Sequence, residues 1–112
     1  MSNLGVVAEY EEDFATARRH HEEALALRRE VDDRWAIAVS YTNLGMIAAL
    51  ESRDDDARAL FEESRRLSAE VGDTWMVAIT ENNLGNANRG LGRTDDARSH
   101  YAAALALSLI HI

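Results

Sequence analysis

Cysteine, proline and lysine are absent from these 112 residues, and aromatic side chains make up only 6%. Without cysteine there can be no disulfide scaffold, thiolate metal site or cysteine nucleophile. No run approaches the roughly 20 apolar residues of a bilayer span. No basic leader followed by an apolar stretch opens the chain, so membrane insertion and secretion are not indicated and the expected location is cytoplasmic. Positive charge is scarce: 12 bases, all arginine, face 20 acids for a formal charge of −8. That balance argues against a nucleic-acid phosphate backbone as partner. What is present is 46% hydrophobic and 29% charged, in a length that suits one domain burying about 65% of its unfolded surface.

The chain repeats itself. Asn3-Leu4-Gly5 returns as Asn43-Leu44-Gly45 and as Asn83-Leu84-Gly85, a period of 40. Residues 1–40 aligned with 41–80 give 15 identities, against roughly 3 expected from ordinary composition. They include Ala17/Ala57, Arg18/Arg58, Glu30/Glu70, Val31/Val71, Asp33/Asp73 and Trp35/Trp75, and the third copy keeps Ala97 and Arg98. The units fall at 1–32, 33–72 and 73–112, the outer two incomplete, in a single array.

Each unit reads as two helices. Tyr41, Leu44, Ile47 and Ala48 recur at helical spacing, as do Ala57, Leu60, Phe61 and Leu67. Polar breaks fall at Glu12-Asp13, Ser52-Arg53-Asp54 and Gly92-Arg93-Thr94. Asp54 and Thr94 suit N-caps, with Asp55, Asp56, Asp95 and Asp96 in the first turn behind them. At Val71-Gly72-Asp73, Gly72 is suited to ending one helix and Asp73 to capping the next. Helices are therefore expected near 2–11, 13–31, 34–51, 54–70, 74–91 and 94–108, with no strand. Gly45/Ala57, Gly5/Ala17 and Gly85/Ala97 lie 12 residues apart, so a hairpin turning between them would bring small residues face to face. Neither hairpin can bury its apolar face alone, so neighbours must stack.

These residues resemble the tetratricopeptide repeat, in a 40-residue variant of its usual unit. Its aromatic, Leu-Gly, Ala, aromatic, Ala pattern is matched by Tyr41, Leu44-Gly45, Ala57, Phe61 and Ser64, then by Leu84-Gly85, Ala97, Tyr101 and Ala104, and by Leu4-Gly5, Ala17 and Ala24. Glu81 and His21 depart from it at aromatic positions, and no proline ends the second helix. The resemblance implies an all-α fold, a right-handed α-solenoid of stacked antiparallel helix hairpins. The longer unit is similar to repeats of large bacterial signalling and transcriptional regulators, of kinesin light chains and of GoLoco-binding polarity proteins. It implies a module that binds peptides or proteins and does no chemistry, here a fragment of a larger bacterial regulator. The lack of lysine beside abundant alanine and arginine fits a GC-rich bacterial source.

Residues 107–112, Leu-Ser-Leu-Ile-His-Ile, break the repeat and resemble translated transposon-adapter DNA. Native sequence is then expected to end near Ala106, and Met1 falls inside a helix. A natural apolar end to the last helix is the alternative. Either way an uncapped terminal face invites self-association.

In stacked hairpins the first helix of each unit lines a concave groove. The groove-facing positions are Val39, Asn43, Met46 and Leu50; Ile79, Asn83, Asn86 and Gly90; and Asn3, Val6 and Tyr10, with Thr42, Asn82 and Arg89 alongside. An asparagine amide carries donors and an acceptor that match an extended peptide backbone. Asn43 and Asn83 would hold the peptide, and Met46, Leu50 and Val6 would receive its side chains. The resemblance implies the same, since asparagine at this helix position contacts peptide backbone in several tetratricopeptide families. The alternative is that both asparagines bond within or between hairpins and fix the stacking. Arg89 is the groove-side cation to which a carboxylate partner would bind; a two-cation carboxylate clamp is not visible.

Nothing else in the sequence points to chemistry. His20 and Glu23 lie one turn apart, but no other cluster completes the three or four ligands of a zinc site, and His21 reads as a packing residue. Trp35 and Trp75 are expected to pack against the preceding hairpin. Asp54-Asp55-Asp56 lacks the alternating ligands and closing glutamate of a calcium loop. No glycine-rich phosphate loop is present, and Ser99 and His100 have no third partner for nucleophilic catalysis. No cofactor, metal, membrane or catalytic residue is expected. A peptide sensor that switches an attached effector and a purely structural spacer remain as alternatives to a simple docking module.

Overall fold

Left-handed residues place the turns of this chain. A computed structural model describes the backbone of residues 3–110 and the side chains of residues 13–109. Its described residues form α1 (Asn3–Glu30), α2 (Arg34–Leu50), α3 (Asp54–Val71), α4 (Thr74–Gly90) and α5 (Thr94–Ile110), with no strand. Asp32 and Gly72 adopt positive φ between units, and Ser52 and Gly92 do so between the helices of one unit. Gly72 is the left-handed C-cap of α3. Asp33 and Asp73 cap the next helices, accepting hydrogen bonds from Ala36 N and Met76 N.

The break expected at Glu12-Asp13 does not occur: α1 runs through it as one helix of 28 residues. Glu12 stands where Ser52 and Gly92 turn left-handed, and that conformation costs a β-carbon-bearing residue roughly 1–2 kcal/mol. Phe14 stands where Asp54 and Thr94 begin a helix, so neither signal is strong enough to stop α1. Gly5 and Ala17 consequently share one helix and cannot face each other. The expected cap also moves by one residue. Arg53 is the N-cap of α3, without a side-chain cap bond, and Asp54 is its first helical residue; α5 likewise begins at Thr94 itself.

Packing is sequential. Every helix packs on its chain neighbours; α2 also touches α4, whereas among the described residues α3 and α5 do not touch. First helices are thus drawn together and second helices splay apart, which curves the stack with α2 and α4 on the inside. Leu25, Ile37, Ala38, Leu44 and Leu67 form one core cluster, and Ala48, Ala57, Phe61, Leu84 and Ala87 another. Leu44 and Leu84 both point inward, as the repeat requires. Gly45 serves the packing of the second helix through an aromatic ring. Its missing side chain makes room for the ring of Phe61, 2.6 Å from where a β-carbon would stand, and Gly85 does the same for Tyr101 at 2.5 Å.

Candidate functional site

At successive turns of one face, α2 carries Val39, Asn43, Met46 and Leu50, and α4 carries Ile79, Asn83, Asn86 and Gly90. Met46, Leu50, Ile79, Asn86 and Gly90 are exposed, while Val39, Asn43 and Asn83 are half-buried. Between the two helices lies a pocket of about 350 Å³. Met46, Ala49 and Leu50 form one wall and Asn83, Asn86 and Ala87 the other, with Phe61 below and Asp54 at one end. A second pocket, of about 370 Å³, opens beyond α4, between Trp75, Ile79, Asn82 and Asn83 on one side and Tyr101, Leu105 and Ser108 of α5 on the other.

Four residues expected in the groove (Met46, Leu50, Asn83 and Asn86) therefore meet in the first pocket. Asn82 lines only the second, and Asn83 borders both. Arg89 is exposed and lines neither. The side chains of Asn3, Val6 and Tyr10 lie outside the described residues. Thr42 is not a groove residue. It is buried, 6% exposed, and bonded to Ser64 at 2.6 Å. Ser64 gives its one proton to the Ala38 carbonyl at 2.8 Å, so Thr42 is the donor to Ser64. The second helix packs over that flank of α2 and takes up its polar groups.

The groove amides differ in their bonding. Asn88 donates to the Leu84 carbonyl and is buried. Asn86 accepts from the Tyr101 hydroxyl at 2.6 Å, which leaves its NH₂ group free of that bond. Among the described residues neither Asn43 nor Asn83 has a side-chain hydrogen-bond partner within the chain.

The tryptophans are only partly covered: Trp35 is 50% exposed and Trp75 62% exposed, so neither is sealed in the core. Trp35 instead donates its indole N–H to Asp73 Oδ2 at 2.6 Å, reaching forward to the cap of α4. Trp75 is the counterpart one unit later and borders the second pocket. Glu81, at an aromatic position of the repeat, is buried between Arg65 of α3 at 3.1 Å and His100 of α5 at 2.7 Å. Sequence reading noted Glu81 as a departure but missed this bridge, whose partners lie 16 and 19 residues away. It also missed Asp54 as part of the groove, because acidic residues in a first turn already have a reason to be there.

Among the described residues no cluster of three or more histidine and carboxylate groups is placed to hold a metal ion, and no helix is long and apolar enough to cross a membrane. The tetratricopeptide repeat family model matches residues 1–70 and, in an overlapping second match, 36–109. No curated protein is significantly similar to the chain. Repeats of this kind mediate contacts between proteins. With two matches that span almost its whole length, and the stacked hairpins just described, the chain belongs to the tetratricopeptide repeat family.

Proposed function

We propose that this array is a non-catalytic module that holds an extended peptide in the groove between α2 and α4, within a larger bacterial regulatory protein of the cytoplasm. The observation that carries the reading is the pair of half-buried amides at the equivalent positions Asn43 and Asn83, neither with a side-chain hydrogen-bond partner among the described residues; Asn83 lines the pocket between α2 and α4, and Asn43 lies one turn before Met46 on α2. Neither amide is sealed from solvent, so its donors and acceptor are open to a peptide backbone. Met46 and Leu50, large and exposed beside them, give side-chain pockets. Asn88, by contrast, is buried and spends its amide within α4 on the Leu84 carbonyl.

The test is panning of random phage-displayed dodecapeptides against the full chain, followed by affinity measurement on the selected peptide after synthesis. Each amide–backbone bond is worth about 1 kcal/mol, so the double variant N43A/N83A should bind about thirtyfold more weakly. Its melting temperature should not fall. A lower melting temperature with no selectable peptide favours the spacer.

A second reading, self-association, has its own observation. Trp75, Ile79, Leu105 and Leu109 are large, apolar and exposed on α4 and α5. Their neighbours Tyr101 and Ser108 are half-buried, whereas the counterparts Phe61 and Ser68 are covered in the preceding unit.

A further inference from the structure

We infer that the pocket between α2 and α4 is specific for a basic side chain, so that the peptide docks through a lysine or arginine. The inference rests on the peptide-binding reading above and adds to it the chemistry of the occupant. The walls are apolar (Met46, Leu50, Ala87 over Phe61), and Asn83 and Asn86 are neutral. The one ionisable group lining the pocket is the Asp54 carboxylate. It is half-buried and has no hydrogen-bond or ion-pair partner among the described residues.

Neither Arg53 nor Arg89 pairs with it. Arg53 is engaged by Asp56 through both Nε and Nη2, at 2.9 and 2.6 Å, and Arg89 does not line the pocket. The sequence also makes room for the carboxylate. Position 90 is glycine where the other units have Leu50 and Tyr10. A β-carbon on Gly90 would stand 2.7 Å from Asp54 Oδ2, so the carboxylate occupies space that any other residue would take. Glycine in a helix costs roughly 1 kcal/mol relative to alanine, and here that cost admits an unpaired acid at the end of an apolar trough. Such a trough with one terminal acid is complementary to a side chain with an aliphatic stem and a cationic tip. The chain's formal charge of −8 favours the same partner.

The experiment uses the full chain and acetylated, amidated peptides from the dodecapeptide selection, each resynthesised with its consensus basic residue as lysine or as the uncharged isostere norleucine. The expected result is enrichment of lysine or arginine, with about a tenfold loss on norleucine replacement. D54N should abolish that discrimination and leave norleucine-peptide affinity within about twofold. G90A, which displaces the carboxylate while keeping it, should reduce the discrimination in the same direction and covers the case in which D54N does not fold. Equal binding of lysine and norleucine peptides, or a lysine preference that survives both variants, would overturn the assignment of a basic side chain and leave peptide binding standing. Failure to select any peptide would overturn both.

Discussion

Phe61 and Tyr101 occupy equivalent positions, yet one is sealed at 2% exposed and the other is half-buried. That difference decides what a methyl group would do opposite each. Replacing a helical glycine by alanine gains about 1 kcal/mol of helix propensity, while overfilling a packed site costs about 1–3 kcal/mol. The Phe61 ring is enclosed by Ala57, Leu84 and Ala87 and has nowhere to go. Tyr101 can swing outward at the loss of its bond to Asn86. G45A should therefore lower stability by up to about 2 kcal/mol in urea denaturation, and G85A should stay within about 0.5 kcal/mol of the parent. Equal losses would mean that α5 is as tightly held as α3.

Among the elements, the join between units is held at the start of each first helix. Asp33 caps α2 with one bond to Ala36 N. Asp73 caps α4 and also accepts the indole N–H of Trp35. Loss of a cap costs about 1 kcal/mol, so D33A should cost that much, and D73A about 2 kcal/mol because it also releases the tie to α2. Comparison of the two urea midpoints checks this. Four of the five helices were legible in the sequence, with ends within one or two residues, because repeats and caps are local signals. α1 was not, because a weak break in one copy was read by analogy with stronger breaks in the others. Met46 and Leu50 on α2 and Asn83 and Asn86 on α4 were legible as pocket-lining residues because each pair lies on one face of its helix. Thr42 was wrongly placed beside them and Asp54 was missed, since their surroundings are set by Ser64 and Gly90, 22 and 36 positions along the chain. The hydrogen bond of Trp35 was not legible for a similar reason: its acceptor Asp73 lies 38 positions ahead.

As a whole the molecule is a slab of 48 × 38 × 24 Å with a radius of gyration of 15.3 Å, larger than the roughly 13 Å of a 100-residue globule. Among the described residues contacts run only between neighbouring helices and between α2 and α4, and α5 presents Leu105 and Leu109 exposed. If the α4–α5 face associates, sedimentation should show a concentration-dependent rise in mass. L105R, which installs the residue its counterpart Arg65 carries, should abolish that rise with folding intact; a variant that still associates would place the contact elsewhere. The inner face is the surface on which docking depends. An amide-resolved NMR titration of the ¹⁵N-labelled chain with a selected peptide reports it most directly. Shifts concentrated at Asn43, Met46, Leu50, Asn83 and Asn86, with Glu62, Arg66 and Arg98 of the outer helices unmoved, are the predicted result. Shifts confined to α3 and α5 would contradict it.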